Sequence, residues 1–236
     1  MKTEQPVIRI PLEGTSPPGL FLLRLDFPLS EDKLAGFYRD CSAQRRERSR
    51  AYRRPEDRAR CLAAGWLLAR AARRLGPGVI REARDGKGKP YLPDFTGTYI
   101  SLTHSGPWVA CAIHDRPVGV DIERVRPADA GLAGAFMSPR ELELYAGSPE
   151  ADRPAFLCRT WTAKEAYLKA VGSGFSLAPG GITLEMYGSG LRVRPEDGHS
   201  GPWGFYGSVL DDGSRLALCW RRGDQSGSTG GTTYGI

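Results

Sequence analysis

Four side chains in two short segments have the types and spacing to do chemistry on a phosphate. The first segment is Gly119-Val120-Asp121-Ile122-Glu123, and the second is Trp161-Thr162-Ala163-Lys164-Glu165-Ala166-Tyr167-Leu168-Lys169. The apolar run Val118-Gly119-Val120 reads as a strand, in which residues i and i+2 face the same side. Asp121 and Glu123 then present two carboxylates together, with Ile122 turned to the other face. Such carboxylates repel each other unless a cation sits between them. In the second segment Glu165 and Lys169 are four apart on a helical pattern and share a face. Three acids and an amine converging on one spot can hold a divalent metal against a phosphate. Taken singly, either segment has a plainer reading. Asp-x-Glu is usually a solvated strand face, and Glu–Lys at this spacing is usually surface support for a helix. Their company in one chain shifts the balance toward chemistry.

The elements that must carry these groups are legible as follows. Residues 7–12 and 20–26 read as short strands. Ser30-Glu31-Asp32 opens a helix with a cap and first-turn acids, and Pro55-Glu56-Asp57 opens another that runs through Cys61, Leu62, Trp66, Leu67 and Leu68 and stops near Gly76-Pro77-Gly78. Three strands follow in quick succession, at 99–103, 108–113 and 118–123. Residues 128–147 read as short helices, one capped by Ser138, and 153–171 as the best helix of the second half. Strands at 181–187, 190–194, 203–210 and 216–220 close the fold, and the Gly/Ser/Thr-rich tail from Gly223 is expected to be disordered. The order predicts an α+β fold built from two similar halves, with a seam near Arg116-Pro117 and a ligand cleft between the halves. No sequence repeat accompanies this suspected duplication.

Three further features carry weaker signals. His104 lies where a strand ends in a turn, between Thr103 and Ser105 with Gly106 following. Hydroxyls, exposed N–H groups and a protonated ring there would suit an anion, although a turn histidine without a role is the simpler reading. His114 and His199 lack supporting neighbours and read as surface. The loop Gly86-Lys87-Gly88-Lys89-Pro90 can hold a phosphate or base, or be an ordinary hairpin turn; it lacks the P-loop pattern. The arginine-rich stretch from Arg45 to Arg60 reads as a solvated helix face, a phosphate-binding surface or a nucleic-acid footprint. Trp161 reads as a core anchor.

Composition bounds the rest. The chain has 236 residues, 40% of them hydrophobic, and a formal net charge of +6, which favours a polyanionic ligand or partner. Its five cysteines are scattered without C-x-x-C spacing, which argues against zinc and a disulfide framework; Cys61, Cys111, Cys158 and Cys219 read as small core residues. No signal peptide or membrane-length apolar stretch is visible, so a cytoplasmic protein is the expectation.

Gly88-Lys89-Pro90, Thr103-His104-Ser105, Gly119-Val120-Asp121-x-Glu123 and Trp161-x-x-Lys164-Glu165-Ala166-x-x-Lys169, in this order and spacing, resemble a 4′-phosphopantetheinyl transferase. Length and layout resemble the surfactin-synthetase-activating type, a monomeric pseudo-dimer, from about Phe37 to about Trp220. The resemblance implies a Mg²⁺-dependent enzyme (Mn²⁺ being an alternative) that moves 4′-phosphopantetheine from coenzyme A to a serine of an acyl or peptidyl carrier protein, releasing 3′,5′-ADP. Polyketide, nonribosomal-peptide and fatty-acid carriers are all candidates. It implies that Asp121, Glu123 and Glu165 bind the metal, that Lys169 contacts the phosphates and assists the leaving group, and that Glu165 is the candidate base. Thr103 and His104 would hold the pyrophosphate, Lys89 and Pro90 would line the adenine pocket, and Arg45, Arg48 and Arg60 would meet the 3′-phosphate and pyrophosphate. Residues 1–117 would supply nucleotide contacts and 118–222 the metal and catalytic acids, with 223–236 the tail. Thr103 stands where the family commonly has serine, and Ser101 where asparagine is frequent. The implied carrier is acidic, and docking is expected on segments flanking 128–147. No membrane or nucleic acid is expected as partner. The rival readings are a silent coenzyme A-binding module and a basic nucleic-acid-binding protein.

Overall fold

The computed structural model describes residues 6–12, 18–76, 80–127, 130–172, 177–187, 190–195 and 203–223. The chain divides into two compact units, one ending at Asp115 and the other beginning at Arg116. The first contains strands β1 (Ile8–Ile10), β2 (Gly19–Arg24), β3 (Ala83–Arg84), β4 (Pro90–Tyr91), β5 (Tyr99–Ser105) and β6 (Trp108–His114), and helices α1 (Glu31–Asp40), α2 (Ala43–Arg50) and α3 (Pro55–Ala72). Its strands form one antiparallel sheet in the order β1-β2-β6-β5-β4-β3. The apolar side chains of α3, Leu62, Trp66, Leu67 and Leu68 among them, pack with Phe21, Leu23, Ile100, Val109 and Cys111 of the strands. Ser30 caps α1 by accepting from the Lys33 amide at 3.4 Å, and Pro55 with Glu56 and Asp57 starts α3, as the sequence predicts.

The second unit contains β7 (Val118–Glu123), α4 (Ala130–Phe136), α5 (Pro139–Gly147), α6 (Arg153–Val171), β8 (Ile182–Tyr187), β9 (Gly190–Pro195), β10 (Trp203–Val209) and β11 (Arg215–Arg221). Strands β10, β11 and β7 form an antiparallel sheet in that order, and β8 and β9 form a hairpin. Gly119 lies opposite Cys219, Asp121 opposite Ala217 and Glu123 opposite Arg215. Ala217 and Cys219 pack with Ala163, Ala166, Tyr167 and Ala170 of α6, so the helix covers the face that carries Asp121. Farther along, Leu157 and Trp161 of α6 meet Phe136 and Tyr145, with Trp161 edge-on to Phe136 at 5.0 Å. Trp161 is thus the core anchor expected of it.

The seating of α6 depends on one residue without a side chain. A β-carbon built on Gly119 would lie 2.0 Å from the carbonyl oxygen of Ala166 and 2.4 Å from the amide nitrogen of Ala170. The helix backbone therefore rests directly on the strand backbone, an approach that only glycine permits. Toward the other end, the Cys158 thiol donates to the Glu123 carbonyl at 3.5 Å, so helix and strand run in opposite directions. Gly172, with φ of 74°, ends α6 in a left-handed cap whose amide donates to Leu168 O at 2.9 Å.

One expectation needs correction. His114 is buried rather than on the surface, with Nδ1 3.1 Å from the Asp115 carboxylate, because the whole of β6 is a central strand. All five cysteines are buried and free, Cys41 included, and burial pushes the Cys41 thiol up to about 11, which leaves it a packing residue. His199, Pro77 and Gly78, and the tail beyond Gly223 lie outside the described residues.

Substituting Gly119→Ala should lift α6 from β7 and cost about 3 kcal/mol, the upper end of ordinary overpacking penalties. The exposed Gly134 of α4 has open space around it, so Gly134→Ala should be neutral or stabilising by up to about 1 kcal/mol. Urea denaturation of both variants checks the contrast; equal effects would show that the backbone contact does not hold the helix.

Candidate active site

Seating α6 on Gly119 carries three of the sequence-identified side chains to one place. Asp121 is 3% exposed, and its Oδ1 accepts from the Lys169 ammonium at 2.6 Å. The same ammonium lies 3.4 Å from the Val120 carbonyl. Glu165, one turn before Lys169, is half-buried and feels both groups. Burial raises its pKa above the ordinary 4.5, the Lys169 charge opposes that rise, and the Asp121 charge adds to it. Two carboxylates and an ammonium are therefore electrostatically coupled across the β7–α6 contact.

Glu123 lies one pleat beyond Asp121 on the same strand face. Its charge helps hold the Cys158 thiol above the usual range, behind burial as the main cause. Among the described residues, no three of the His, Cys, Asp and Glu side chains gather closely enough to hold a metal ion by themselves. The donor set nevertheless suits a hard cation. It is all oxygen, and Mg²⁺ is ordinarily held by one or two carboxylates together with substrate phosphates and water, not by a closed protein cage. The mutual repulsion felt at Glu165 is what a cation would relieve.

The candidate residues of the first unit have different settings. Arg60 donates through Nε to the Gly106 carbonyl at 2.7 Å and through Nη1 to Asp57 at 2.7 Å, which ties α3 to the β5–β6 turn. His104 sits just before that turn on β5. Burial, and after it the Arg60 charge, push its imidazole below the usual range, with Asp57 opposing. The ring is therefore neutral at neutral pH and offers an N–H, not the positive charge considered from the sequence. Thr103 is buried on β5 and Arg48 is exposed on α2.

Lys89 and Pro90 belong to a hairpin turn. The amides of Lys87 and Lys89 both donate to Asp85 Oδ1 at 2.9 Å, and Pro90 pairs with Arg84. Arg45 departs most from a ligand-facing role. It is 5% exposed, and its Nε and Nη2 donate to the two oxygens of buried Glu82. Its stem also lies against Gly65 of α3, where a β-carbon would come within 2.5 Å of it.

Two residues without an assigned role prove central to the site's surroundings. Lys164, next to Glu165, is fully buried and ion-paired with Glu141 at 2.6 Å. The pattern Ser138-x-x-Glu141 is the signature of a reciprocal helix cap, and both of its hydrogen bonds are present. That signature could have singled out Glu141 from the sequence; nothing local to Lys164 forecasts its partners.

Comparison with known proteins adds to this geometry. Residues 117–197 match the model of the 4′-phosphopantetheinyl transferase superfamily, a span that includes both acidic segments. A 4′-phosphopantetheinyl transferase of Bacillus subtilis is 31% identical over 200 residues, covering 83% of this chain and 88% of the relative. The transferase Sfp of Bacillus subtilis strain 168 is 28% identical over 204 residues, covering 85% and 91%. HetI of a Nostoc species, also named a 4′-phosphopantetheinyl transferase, is 34% identical over 176 residues, covering 68% and 74%. The chain belongs to the 4′-phosphopantetheinyl transferase family.

Glu165 provides a test of the site's electrostatics that needs no substrate. A carboxyl whose pKa is raised on folding stabilises the fold below its unfolded value and loses that contribution as pH rises through the folded value. Glu165→Gln should therefore raise the Tm of the metal-free protein near neutral pH, and the gain should vanish below pH 4.5. A Tm difference that is independent of pH would contradict the assigned coupling.

Proposed function

We propose that this chain transfers the 4′-phosphopantetheine group of coenzyme A to a serine hydroxyl of an acyl or peptidyl carrier protein and releases 3′,5′-ADP. The observation that carries this reading is the coupled set Asp121, Glu165 and Lys169, held on the β7–α6 contact in a chain of this family. The family relationship favours a transferase over a silent coenzyme A-binding module and over a nucleic-acid-binding protein.

In the proposed reaction the serine oxygen attacks the pyrophosphate phosphorus that bears the pantetheine arm. A new P–O bond forms to serine, and the P–O bond to 3′,5′-ADP breaks. Phosphoryl transfer depends on positioning and charge neutralisation more than on covalent help from the protein. Glu165 is the candidate base that takes the serine proton. Lys169 meets the charge that develops on the leaving phosphate, and Asp121 holds the ammonium in place at 2.6 Å.

Asp121, Glu123 and Glu165 would hold Mg²⁺, or Mn²⁺ in its place, which when bound supplies charge neutralisation and polarisation at the pyrophosphate. Arg48, Arg60, Thr103 and His104 are proposed as phosphate contacts, and Lys89 and Pro90 as the adenine site. Arg45 would contribute mainly by holding α2 in place through Glu82.

A net charge of +6 suits an acidic carrier, whose encounter rate would then fall with added salt. Leu132 on α4 and Leu144 on α5 are 50% and 43% exposed, two apolar side chains within the 128–147 stretch whose flanking segments are proposed to dock the carrier. No helix among the described residues is long and apolar enough to cross a membrane. We propose a monomer working in the cytoplasm on biosynthetic carriers.

Asp121→Ala and Glu165→Ala should each lower transfer at least about 100-fold, as expected for losing a group that stabilises developing charge, with far-UV circular dichroism unchanged. The readout is intact-mass detection of one phosphopantetheine gained by the carrier. Substantial activity in either folded variant would contradict the mechanism. Chelation with EDTA should abolish transfer and added Mg²⁺ restore it; transfer unaffected by chelation would remove the metal from the account.

A further inference from the structure

The buried pair Lys164–Glu141 gathers more of the second unit than any contact described above. The Lys164 ammonium is 2.6 Å from Glu141 Oε2 and donates to three carbonyls: Phe136 and Pro179 at 2.8 Å and Ile182 at 2.7 Å. Glu141 Oε2 also accepts the Ser138 amide at 2.8 Å, and Oε1 accepts the Leu184 amide at 2.7 Å. One ion pair thereby joins the end of α4, the start of α5, the turn at Pro179, strand β8 and helix α6.

The position of this knot on the helix matters. Residues of an α-helix advance by about 100° each, so Lys164 leaves α6 on the side away from Ala166 and Ala170, which lie on Gly119. The helix is pinned on both flanks, by a backbone contact on one and by an ammonium saturated with acceptors on the other. Glu165 projects between them. A slip of one residue would turn it, together with Lys169, through about 100° and part both from Asp121 on β7.

A buried ion pair is a poor device for stability alone, since desolvation consumes much of the attraction, but it is a good device for fixing one arrangement. Three carbonyls and a carboxylate converging on one point accept a buried ammonium there and little else.

We propose that Lys164 and Glu141 are a positioning pair for the transfer reaction, setting the rotation of α6 that presents Glu165 and linking it to the α4–α5 segment. The proposal rests on the transferase reading. Its role is positional, because both side chains are buried, Lys164 at 0% and Glu141 at 1% exposure, out of reach of a substrate.

The test compares Lys164→Met/Glu141→Gln and Glu141→Gln alone with the wild-type enzyme, at a temperature where circular dichroism shows each fully folded. The double change removes both charges, so that no lone ion stays buried; should it fail to fold, the single variant decides. In the folded variants kcat for transfer to the carrier should fall at least about ten-fold, as misplacement of a reacting group predicts. The affinity for coenzyme A, by calorimetry, should stay within about three-fold, since positioning acts on the reacting geometry and not on ground-state binding. Wild-type kcat in a folded variant would overturn the proposal, as would a loss confined to coenzyme A affinity. The wild-type enzyme assayed alongside reports separately on the transferase reading: if it transfers nothing, that reading fails, whatever the variants do.

Discussion

The site depends on the closeness of two backbones. At Gly119 the strand offers no side chain, and the peptide groups of Ala166 and Ala170 occupy the space where one would be. Helix-on-sheet packing normally keeps the elements apart by the thickness of side chains. Removing that thickness at one point lets Lys169 reach Asp121 at 2.6 Å and brings Glu165, one turn from Lys169 on the same helix, within electrostatic range of Asp121 as well. Any side chain at 119 would restore the separation and part the cluster, however well the other residues were chosen.

The resulting arrangement is unfavourable in isolation, and that is informative. A carboxylate pair that is partly withdrawn from water raises the proton affinity of one member, and the nearby ammonium offsets only part of the effect. The rest of the second unit supplies the rigidity that holds the groups there. The apolar cluster of α6 with Phe205, Ala217 and Cys219 fixes one flank, and Tyr167 packs edge-on against Trp203 at 5.2 Å. The charged knot of Lys164 and Glu141 fixes the other. Strain at a site, with stability supplied by its surroundings, is the common pattern where groups must act on a substrate.

Much of this was legible in the sequence, for identifiable reasons. The strands at 99–105, 108–114 and 118–123 announce themselves by β-branched and apolar runs between turn residues, and α6 spans the residues its periodicity indicates, Arg153 to Val171. The caps at Ser30 and Ser138 and the helix start at Pro55 were readable because helix initiation is local chemistry. The shared face of Asp121 and Glu123 follows from strand geometry alone. What the sequence could not disclose are partners distant along the chain. Arg45 reads as a free basic residue until Glu82, 37 residues away, is seen to take its guanidinium. His114 reads as surface until β6 proves to be a central strand. Gly119 reads as an ordinary strand glycine until α6 lies on it, and Lys164 as one charge among several in a motif.

The claim at the centre of this account is that α6, seated on Gly119, presents Glu165 beside Asp121 so that both serve one cation and one pyrophosphate. A crystal of the enzyme with coenzyme A and Mn²⁺, measured for anomalous scattering, tests it most directly. The account predicts a single manganese peak coordinated by carboxylate oxygens of both Asp121 and Glu165 and by the pyrophosphate, with Lys169 on a phosphate oxygen. A manganese ion bound to the pyrophosphate and to neither carboxylate, or α6 turned so that Glu165 points away from Asp121, would contradict it.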